Sequence, residues 1–217
     1  MKRELASGTP DKKYSDFLIN NFFKNKQPGF FIEAGAFDGY IDSVCWHLEK
    51  DHGWSGMNVE CNPHCFADIK KNRPNCININ KALSYKEGEL PFTWAMGGAN
   101  PLQGQQGSVI FYSLNPERWD KGKVRPLKNI VVKAVSLRKL LIEHNIKTVD
   151  LLVLDIEGYE LSALAGLAGS KVMPAVMAIE DDWCDINKLD IVMEKLGYER
   201  FHKRYRNNVV YQRIKGK

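Results

Sequence analysis

The sequence predicts an α/β protein with a mostly parallel central sheet and helices on both faces. Short apolar runs alternate with segments whose apolar residues recur at helical spacing, which is the pattern of a doubly wound sheet. The run from Leu151 to Leu154 is entirely apolar, as expected for a strand that helices cover on both sides. Ligands of such folds bind beyond the carboxyl ends of the strands. We therefore expect the functional site at that edge.

Length and composition indicate one soluble globular domain. The chain has 217 residues, of which 44% are hydrophobic and 26% are charged. No apolar run approaches membrane-spanning length and the N-terminus lacks the apolar core of a signal peptide, so we expect a cytoplasmic protein without membrane insertion. The five cysteines are scattered and odd in number, which predicts free thiols. The net charge of +5 is modest and does not favour nucleic acid as a partner.

The chain divides into a short N-terminal part, residues 1–27, and a main domain, residues 28–217. The N-terminal part is predicted to be a polar lead-in followed by a helix over Ser15–Phe23. Residues 85–128 of the main domain break the alternating pattern, because glycine and proline punctuate short strand-like fragments there. Long segments of this kind inside a compact domain are usually binding loops or lids. We expect this insertion to bind the acceptor substrate.

Periodicity predicts the remaining helices and the end of the chain. A first crossover helix is expected over Ile41–Lys50, after the first strand. A second is expected over Leu137–His144, and the last helix over Ile186–Leu196. The chain is then predicted to close with a hairpin formed by Tyr198–His202 and Asn208–Tyr211.

The first predicted strand begins at Phe30 and ends in a glycine turn. Gly35 and Gly39 allow the backbone to turn tightly and to approach a ligand. The turn departs from the dinucleotide fingerprint, because it has two glycines and contains Asp38. Glu33 and Asp38 would repel a pyrophosphate but suit a ligand with positive charge and free hydroxyls or amines. S-adenosylmethionine, which carries an ammonium and a sulfonium, is such a ligand.

Other residues near the strand ends extend this candidate site. Glu60 ends the second predicted strand, roughly 20 residues after the glycine turn, where it either accepts both hydroxyls of an adenosine ribose or only caps the next helix. Ala82 and Leu83 follow a third short strand, where an adenine edge would lie. Ser43 either donates to a ligand carboxylate or caps the crossover helix.

Two further predicted strands end in acidic residues, so one rim of the sheet is strongly acidic. These acids are Asp155, Glu157, Glu180, Asp181 and Asp182. Asp155, Asp181 and Asp182 would supply hard oxygen ligands to Mg²⁺ or Mn²⁺, which lowers the pKa of a bound sugar hydroxyl. Without a metal, Asp155, Glu157 or Asp182 would act as the general base in methyl transfer. At least one of Glu160, Glu180 and Asp181 is expected to be a helix cap or a solvated group.

Three motifs resemble those of the FkbM-type S-adenosylmethionine-dependent methyltransferases. They are Phe31–Gly39, Asn58–Pro63 and, most specifically, Val149–Glu160. The resemblance implies a Rossmann-like class I methyltransferase fold, with a central seven-stranded sheet whose final strand is antiparallel. It also implies O-methylation, often of a sugar hydroxyl. The placing of Asp155 and of Asp181-Asp182 is further similar to metal-dependent sugar and catechol O-methyltransferases.

Carried over by position, the resemblance implies a set of cofactor contacts. Glu33, Gly35 and Asp38 would line the methionine end of S-adenosylmethionine, Glu60 would hold the ribose, and Ala82 or Leu83 would meet the adenine. The full expected set is Glu33, Gly35, Ala36, Asp38, Gly39, Ser43, Glu60, Asn62, Ala82, Leu83 and Asp155.

We therefore expect an S-adenosylmethionine-dependent O-methyltransferase that acts on a sugar hydroxyl in a glycan or a glycosylated small molecule. Two alternatives stay open: a non-catalytic binding or scaffold module with the same fold, and an RNA methyltransferase that uses the basic C-terminal tail. A nicotinamide-dependent reductase is disfavoured by the missing third glycine and by Asp38.

Overall fold

A seven-stranded sheet forms the centre of the chain. The computed structural model describes residues 8–25, 28–97, 109–113, 125–182 and 184–214. In chain order, the strands are β1 (Phe30–Ala34), β2 (Ser55–Val59), β3 (Ile77–Ile79), β4 (Ala82–Leu83), β5 (Gly88–Gly97), β6 (Val109–Ser113), β7 (Arg125–Val135), β8 (Leu151–Leu154), β9 (Val176–Glu180), β10 (Tyr198–Arg200) and β11 (Asn208–Arg213).

The order of strands in the large sheet is β10-β11-β9-β8-β1-β2-β3. The final strand, β11, runs antiparallel to both of its neighbours, while the other neighbouring pairs are parallel. The expected seven-stranded, mostly parallel sheet is therefore confirmed. Its order reverses beside β1, so the carboxyl ends of β1 and β8 border the crevice where ligands of such sheets bind.

Helices cover both faces of this sheet. They are α1 (Lys12–Leu18), which a π-helical turn continues over Ile19–Phe23, α2 (Trp46–His52), α3 (Pro63–Asn72), α4 (Leu137–Glu143), α5 (Glu160–Ala165) and α6 (Ile186–Lys195). Because successive strand residues point to opposite faces, the core is divided in two. Ile32 and Leu152 pack with residues of α4, α5 and α6, whereas Phe31, Leu151 and Val153 pack with residues of α1 and α2.

The N-terminal helix packs directly on the large sheet. Tyr14, Leu18 and Phe23 are buried in the same cluster as the residues of β1 and β8. The Ser15 hydroxyl also donates a hydrogen bond to the carbonyl of Val44, in the loop before α2. The division of the chain at residue 27 stays a prediction, but this helix contributes to the core of the main domain.

The first crossover helix is shorter than the pattern predicts. It was expected from Ile41, but α2 begins at Trp46. Asp42 has a positive φ of 54°, which interrupts a right-handed helical path. The residues before α2 instead form a loop that packs against α1.

The insertion predicted over residues 85–128 contributes to a second sheet, with strand order β4-β7-β5-β6. Its strand-like fragments lie in β5 and β6, which pair with each other in antiparallel fashion, as β5 does with β7. Residues 98–108 and 114–124 lie outside the described residues, so the role of this insertion in acceptor binding stays a prediction. None of the helices in the described part of the chain has the length and apolar character needed to cross a membrane.

Candidate functional site

The residues predicted to form the site lie at the carboxyl edge of the large sheet. The parallel register pairs Ala34 of β1 with Val59 of β2 and with Leu154 of β8, and Leu154 in turn with Ile179 of β9. The residues that follow these four strand positions therefore meet at one edge. This edge brings the glycine turn together with Glu60, Asp155 and Glu180.

The glycine turn lies against the backbone of the neighbouring strand. Gly35 has a φ of +78°, and a Cβ atom at this position would lie 1.8 Å from the carbonyl oxygen of Asp155. The N–H groups of Gly35 and Ala36 both donate to the carbonyl of Val59, at 3.0 and 3.3 Å. Only glycine allows this close approach, because any side chain would displace the strand backbone. The turn is thus seated between β2 and β8, as the pattern predicts.

Glu33 and Ser43 face the interior of the fold, which differs from the expected contact with a ligand. The buried Glu33 carboxylate accepts hydrogen bonds from the Ser43 hydroxyl at 2.7 Å and from the N–H groups of Val44 at 2.8 Å and Cys45 at 3.0 Å. A buried carboxylate needs such donors, since its charge is removed from water. Both residues therefore connect β1 to the start of α2, and Ser43 does not present its hydroxyl to a ligand.

Arg73 supplies the positive charge for this network. Its side chain is fully buried, and Nη1 lies 3.5 Å from Glu33 Oε2, 3.1 Å from Ser43 Oγ and 3.2 Å from the Gly39 carbonyl. Nε pairs with the carboxylate of Glu49 in α2. The sequence analysis missed Arg73. The signal that points to it is Glu33 itself, because an acid inside an apolar strand requires a buried partner, although the sequence does not say which cation supplies it.

Asp38 stabilises the turn in which it lies. One carboxylate oxygen accepts hydrogen bonds from the N–H groups of Tyr40 and Ile41, both at 2.8 Å. The Asn72 side chain donates to the Asp38 carbonyl at 2.8 Å. Gly39 follows with a φ of +78°, and a Cβ there would lie 2.8 Å from Arg73 Cγ. The two glycines thus have the backbone conformation that the sequence predicts, and the Asp38 side chain is oriented by the turn.

Glu60 lies at the end of β2 and is buried. Its two oxygens accept hydrogen bonds from the N–H of Phe37 at 3.0 Å and from the N–H of Asn62 at 2.7 Å. Burial raises the pKa of Glu60 to about 7. The backbone and the thiol of Cys61 also form hydrogen bonds with this carboxylate, so its present donors all come from Phe37, Cys61 and Asn62.

Asn62 places an unused donor beside Glu60. Its side-chain oxygen caps α3 by accepting from the N–H of His64 at 2.9 Å, while Nδ2 is buried without a hydrogen-bond partner among the described residues. Buried donors are rarely left unpaired in folded proteins. An acceptor-rich carboxylate next to an unpaired donor fits a ribose, which offers both hydroxyl donors and oxygen acceptors.

Ala82 and Leu83 differ from the expectation that they meet the adenine. Both side chains are buried, Ala82 against Phe92 and Val132 and Leu83 in the main core. They pair with β7, because β4 belongs to the second sheet. Their side chains therefore pack inside the fold, which leaves only their backbone for a ligand.

Three acids converge at the ends of β8 and β9. Asp155, Glu157 and Glu180 each place a carboxylate oxygen within 4.8 Å of the others. Asp155 is exposed, Glu157 is half-buried and Glu180 is buried. Burial, together with the negative charges of Asp155 and Glu157, raises the pKa of Glu180 far above its usual range. Such a cluster either holds a proton or binds a cation, and it places carboxylate oxygens where a proton could be removed from a substrate.

Of the predicted metal ligands, Asp155 belongs to this acid cluster, whereas Asp181 and Asp182 are not among its three members. Asp181 accepts a hydrogen bond from Arg204 at 2.6 Å, and Asp182 accepts from Asn207 at 3.2 Å. The correction follows from the alternation of side chains along β9. Glu180 shares a face with Asp155, so the next residue, Asp181, points the other way. Glu180 takes the place that Asp181 was expected to fill, and Asn207 donates hydrogen bonds to both Glu180 and Asp182.

The chain belongs to the FkbM methyltransferase family. The model of the methyltransferase FkbM domain matches residues 33–200, which include the glycine turn and the acidic edge. This confirms the resemblance seen in the motifs, and the strand order agrees with the Rossmann-like class I methyltransferase fold that the resemblance implies. No curated protein matches the chain in the sequence comparison.

Several solved structures are similar to the chain over most of its length. A TehB-like S-adenosylmethionine-dependent methyltransferase from Corynebacterium glutamicum is 11% identical, with a TM-score of 0.43, and the match covers 93% of this chain and 88% of that one. An O-methyltransferase family protein from Burkholderia thailandensis is 10% identical, with a TM-score of 0.47, and the match covers 95% of this chain and 57% of that one. A human methyltransferase 10 domain containing protein is 9% identical, with a TM-score of 0.44, over 93% of this chain and 80% of that one.

The close approach of Gly35 to β8 predicts a large loss of stability for Gly35→Ala. We expect the free energy of unfolding, measured in urea, to fall by about 3 to 5 kcal/mol, because the left-handed strain adds to a clash with the Asp155 backbone. The matched control is Gly8→Ala, since Gly8 also has a positive φ but has no atom within 4 Å of the added Cβ. A similar loss for both variants would contradict the seating of the turn against β8.

Proposed function

We propose that this chain is an S-adenosylmethionine-dependent O-methyltransferase whose acceptor is a hydroxyl of a sugar, in a glycan or a glycosylated small molecule. The observation that carries the proposal is the convergence of the glycine turn, the buried Glu60 and the acids near Asp155 at one sheet edge, in a chain of a methyltransferase family. When bound there, S-adenosylmethionine supplies an electrophilic methyl group on a sulfonium.

The cofactor end of this edge uses the second strand and the glycine turn. Glu60 would accept hydrogen bonds from the ribose hydroxyls in place of the weak thiol donor of Cys61, while the N–H groups of Phe37 and Asn62 hold the carboxylate in position. The buried Nδ2 of Asn62 donates to a ribose oxygen. Asp38 and Asp155 add negative charge to the same edge, which favours a ligand that carries an ammonium and a sulfonium. An anionic dinucleotide would be repelled by these charges.

The acceptor end of the edge is the acid cluster. Asp155 is its exposed member and removes the proton from the acceptor hydroxyl. The deprotonated oxygen would then take the methyl group that S-adenosylmethionine supplies, with S-adenosylhomocysteine as the leaving group, and the proton stays on Asp155 until solvent removes it. Glu180 keeps a proton of its own because its pKa is raised, which limits repulsion within the cluster.

A sugar suits this edge because its hydroxyls are neutral donors that several carboxylates accept at once. The same carboxylates disfavour phosphorylated or nucleic-acid acceptors.

A metal-assisted variant of the reaction is favoured by one observation. The oxygens of Asp155, Glu157 and Glu180 are spaced so that they would hold Mg²⁺ or Mn²⁺ in place of the proton. The chemistry that such a cation supplies is a lower pKa of the acceptor hydroxyl.

The raised pKa of Glu60 predicts that S-adenosylhomocysteine binding depends on pH. Hydroxyl donors favour the ionised carboxylate, so the pKa of Glu60 in the complex falls below its value of about 7 in the free chain. Affinity should therefore be constant above pH 7 and decrease below it, by roughly five- to tenfold between pH 7.5 and pH 6 in calorimetric titrations.

Glu60→Gln should bind S-adenosylhomocysteine more weakly at pH 7.5 and lose this pH dependence. Glu87→Gln is the control, because Glu87 is an exposed partner of Lys139 outside the site. A wild-type affinity that does not change between pH 6 and pH 7.5 would remove Glu60 from the cofactor contacts.

The assignment of Asp155 as the base predicts the loss of turnover in Asp155→Asn. We expect kcat to fall by at least about a hundredfold, because the amide cannot accept the proton, and the Kd of S-adenosylhomocysteine to rise much less, because the loss of one negative charge weakens attraction for its ammonium. The control is Asp68→Asn, on the exposed surface of α3, which should retain wild-type turnover.

The assay follows S-adenosylhomocysteine release with methyl glycosides as acceptors, with and without a chelator. Turnover that is lost with the chelator and restored by Mg²⁺ or Mn²⁺ would support the metal-assisted variant, whereas undiminished turnover in Asp155→Asn would contradict both forms of the mechanism.

A further inference from the structure

The hydroxyl of Tyr14 is a buried polar group without a hydrogen-bond partner among the described residues. Tyr14 is only 2% exposed, and its ring stacks on Tyr205 with the centroids 4.4 Å apart and an angle of 5° between the planes. Its N–H donates to Asp11 at 3.0 Å, and the Tyr205 hydroxyl donates to the same oxygen at 3.2 Å. The ring and backbone are therefore held in place, while the hydroxyl itself is unused.

This hydroxyl belongs to the sheet face that carries the acid cluster. Tyr14 packs in the same core cluster as Val153 of β8 and Ala178 of β9. Asp155 and Glu180 lie two residues after these positions and so point to the same face. The pKa of Tyr14 is raised well above its usual value, chiefly by burial and secondly by the negative charge of Asp155. The phenol therefore remains protonated at neutral pH and is available as a donor.

The charged groups around this hydroxyl restrict which chemical group of a ligand could form a hydrogen bond with it. Leaving a buried hydroxyl unpaired is unfavourable, so a partner supplied by a ligand is favoured. A carboxylate or a phosphate would be repelled by Asp155 and Asp11, the charged groups that act most strongly on the phenol. A group between Tyr14 and Asp155 must accept from the phenol and donate to the carboxylate. A neutral hydroxyl does both.

We propose that Tyr14 is an acceptor-binding residue that donates a hydrogen bond to the acceptor hydroxyl on the side opposite Asp155. The proposal rests on the proposed O-methyltransferase function. The two hydrogen bonds orient the acceptor oxygen, because its proton points to Asp155 and one lone pair points to Tyr14, which leaves the other lone pair for the methyl group. Because the phenol is buried in the free chain, binding of the acceptor requires that the groups covering this hydroxyl open locally.

The residue that we propose for acceptor binding lies in the N-terminal segment of the chain. The family model begins at residue 33, whereas Tyr14 lies in α1, before β1. Arg206 pairs with Asp11 at 3.2 Å, so a further contact joins the start of α1 to the loop between β10 and β11. The helix that carries Tyr14 is thus attached to the acceptor side of the sheet by residues outside the cofactor turn.

Tyr14→Phe tests this role because it removes one oxygen and keeps the stacked ring. The probes are methyl α-D-glucopyranoside, methyl α-D-mannopyranoside and methyl α-L-rhamnopyranoside as hydroxyl acceptors, with butylamine and 2-mercaptoethanol for comparison. With a methylated glycoside, we expect kcat/KM to fall at least tenfold, the Kd of S-adenosylhomocysteine to stay within twofold, and the urea midpoint to stay equal or rise.

The matched control is Tyr198→Phe. The Tyr198 hydroxyl is buried and donates to the Pro174 carbonyl, before the start of β9 at the opposite edge of the sheet. Its removal should lower the urea midpoint while leaving kcat/KM for the glycoside within twofold of wild type. The two variants thus separate an acceptor contact from a structural hydrogen bond.

Two results with the Tyr14→Phe variant would overturn the inference. Both differ from the result that would overturn the proposed function, which is seen with the wild type. A kcat/KM for Tyr14→Phe within twofold of wild type, or a urea midpoint clearly below it, would assign the hydroxyl no role in acceptor binding. Transfer by the wild type only to the amine or thiol, or to none of the probes, would instead overturn the hydroxyl acceptor of the proposed function. Because the proposed role of Tyr14 rests on that function, transfer to none of the hydroxyl probes would overturn the acceptor contact as well.

Discussion

The buried ion pair between Glu33 and Arg73 is the interaction on which the candidate site depends. Glu33 lies in β1 with its carboxylate inside the fold, and without Arg73 this buried charge would lack a counter-charge, which typically costs about 3 to 5 kcal/mol. The same guanidinium binds the Gly39 carbonyl and pairs with Glu49. The glycine turn, α2 and the end of α3 are thereby joined as one unit. The shape of the turn is set from inside the protein, before any ligand binds.

The turn and the acid cluster are also joined to each other. Gly35 lies directly against the backbone of Asp155, so a ligand that rests on the turn lies beside the exposed carboxylate of the cluster. The cofactor contacts proposed for Glu60 and the proton transfer proposed for Asp155 therefore occur at adjacent strand ends of one rigid sheet. Sites supported by strands hold their geometry well, and in-line methyl transfer requires that precision.

The strands and the edge at which they meet could be predicted from the sequence, because parallel strands have a strong apolar pattern and end on the same side. The positions of Glu60 and Asp155 at this edge were predicted in this way, and their roles stay a proposal. The face to which each acid points depends on register, and a difference of one residue separates Glu180 from Asp181. Arg73 was missed because its partner lies 40 residues away in the chain. The acceptor contact that we propose for Tyr14 has no signal in the sequence, because its position resembles that of any core aromatic in an amphipathic helix.

The most direct test of the account is a calorimetric titration of the purified chain with S-adenosylhomocysteine and, separately, with NAD. A site with an acidic turn and a buried ribose carboxylate should bind S-adenosylhomocysteine with micromolar affinity and should not bind NAD, because Asp38 and the missing third glycine disfavour a pyrophosphate. The absence of any S-adenosylhomocysteine binding would contradict the account. A scaffold module that keeps the fold of the family without its chemistry would then describe the chain better.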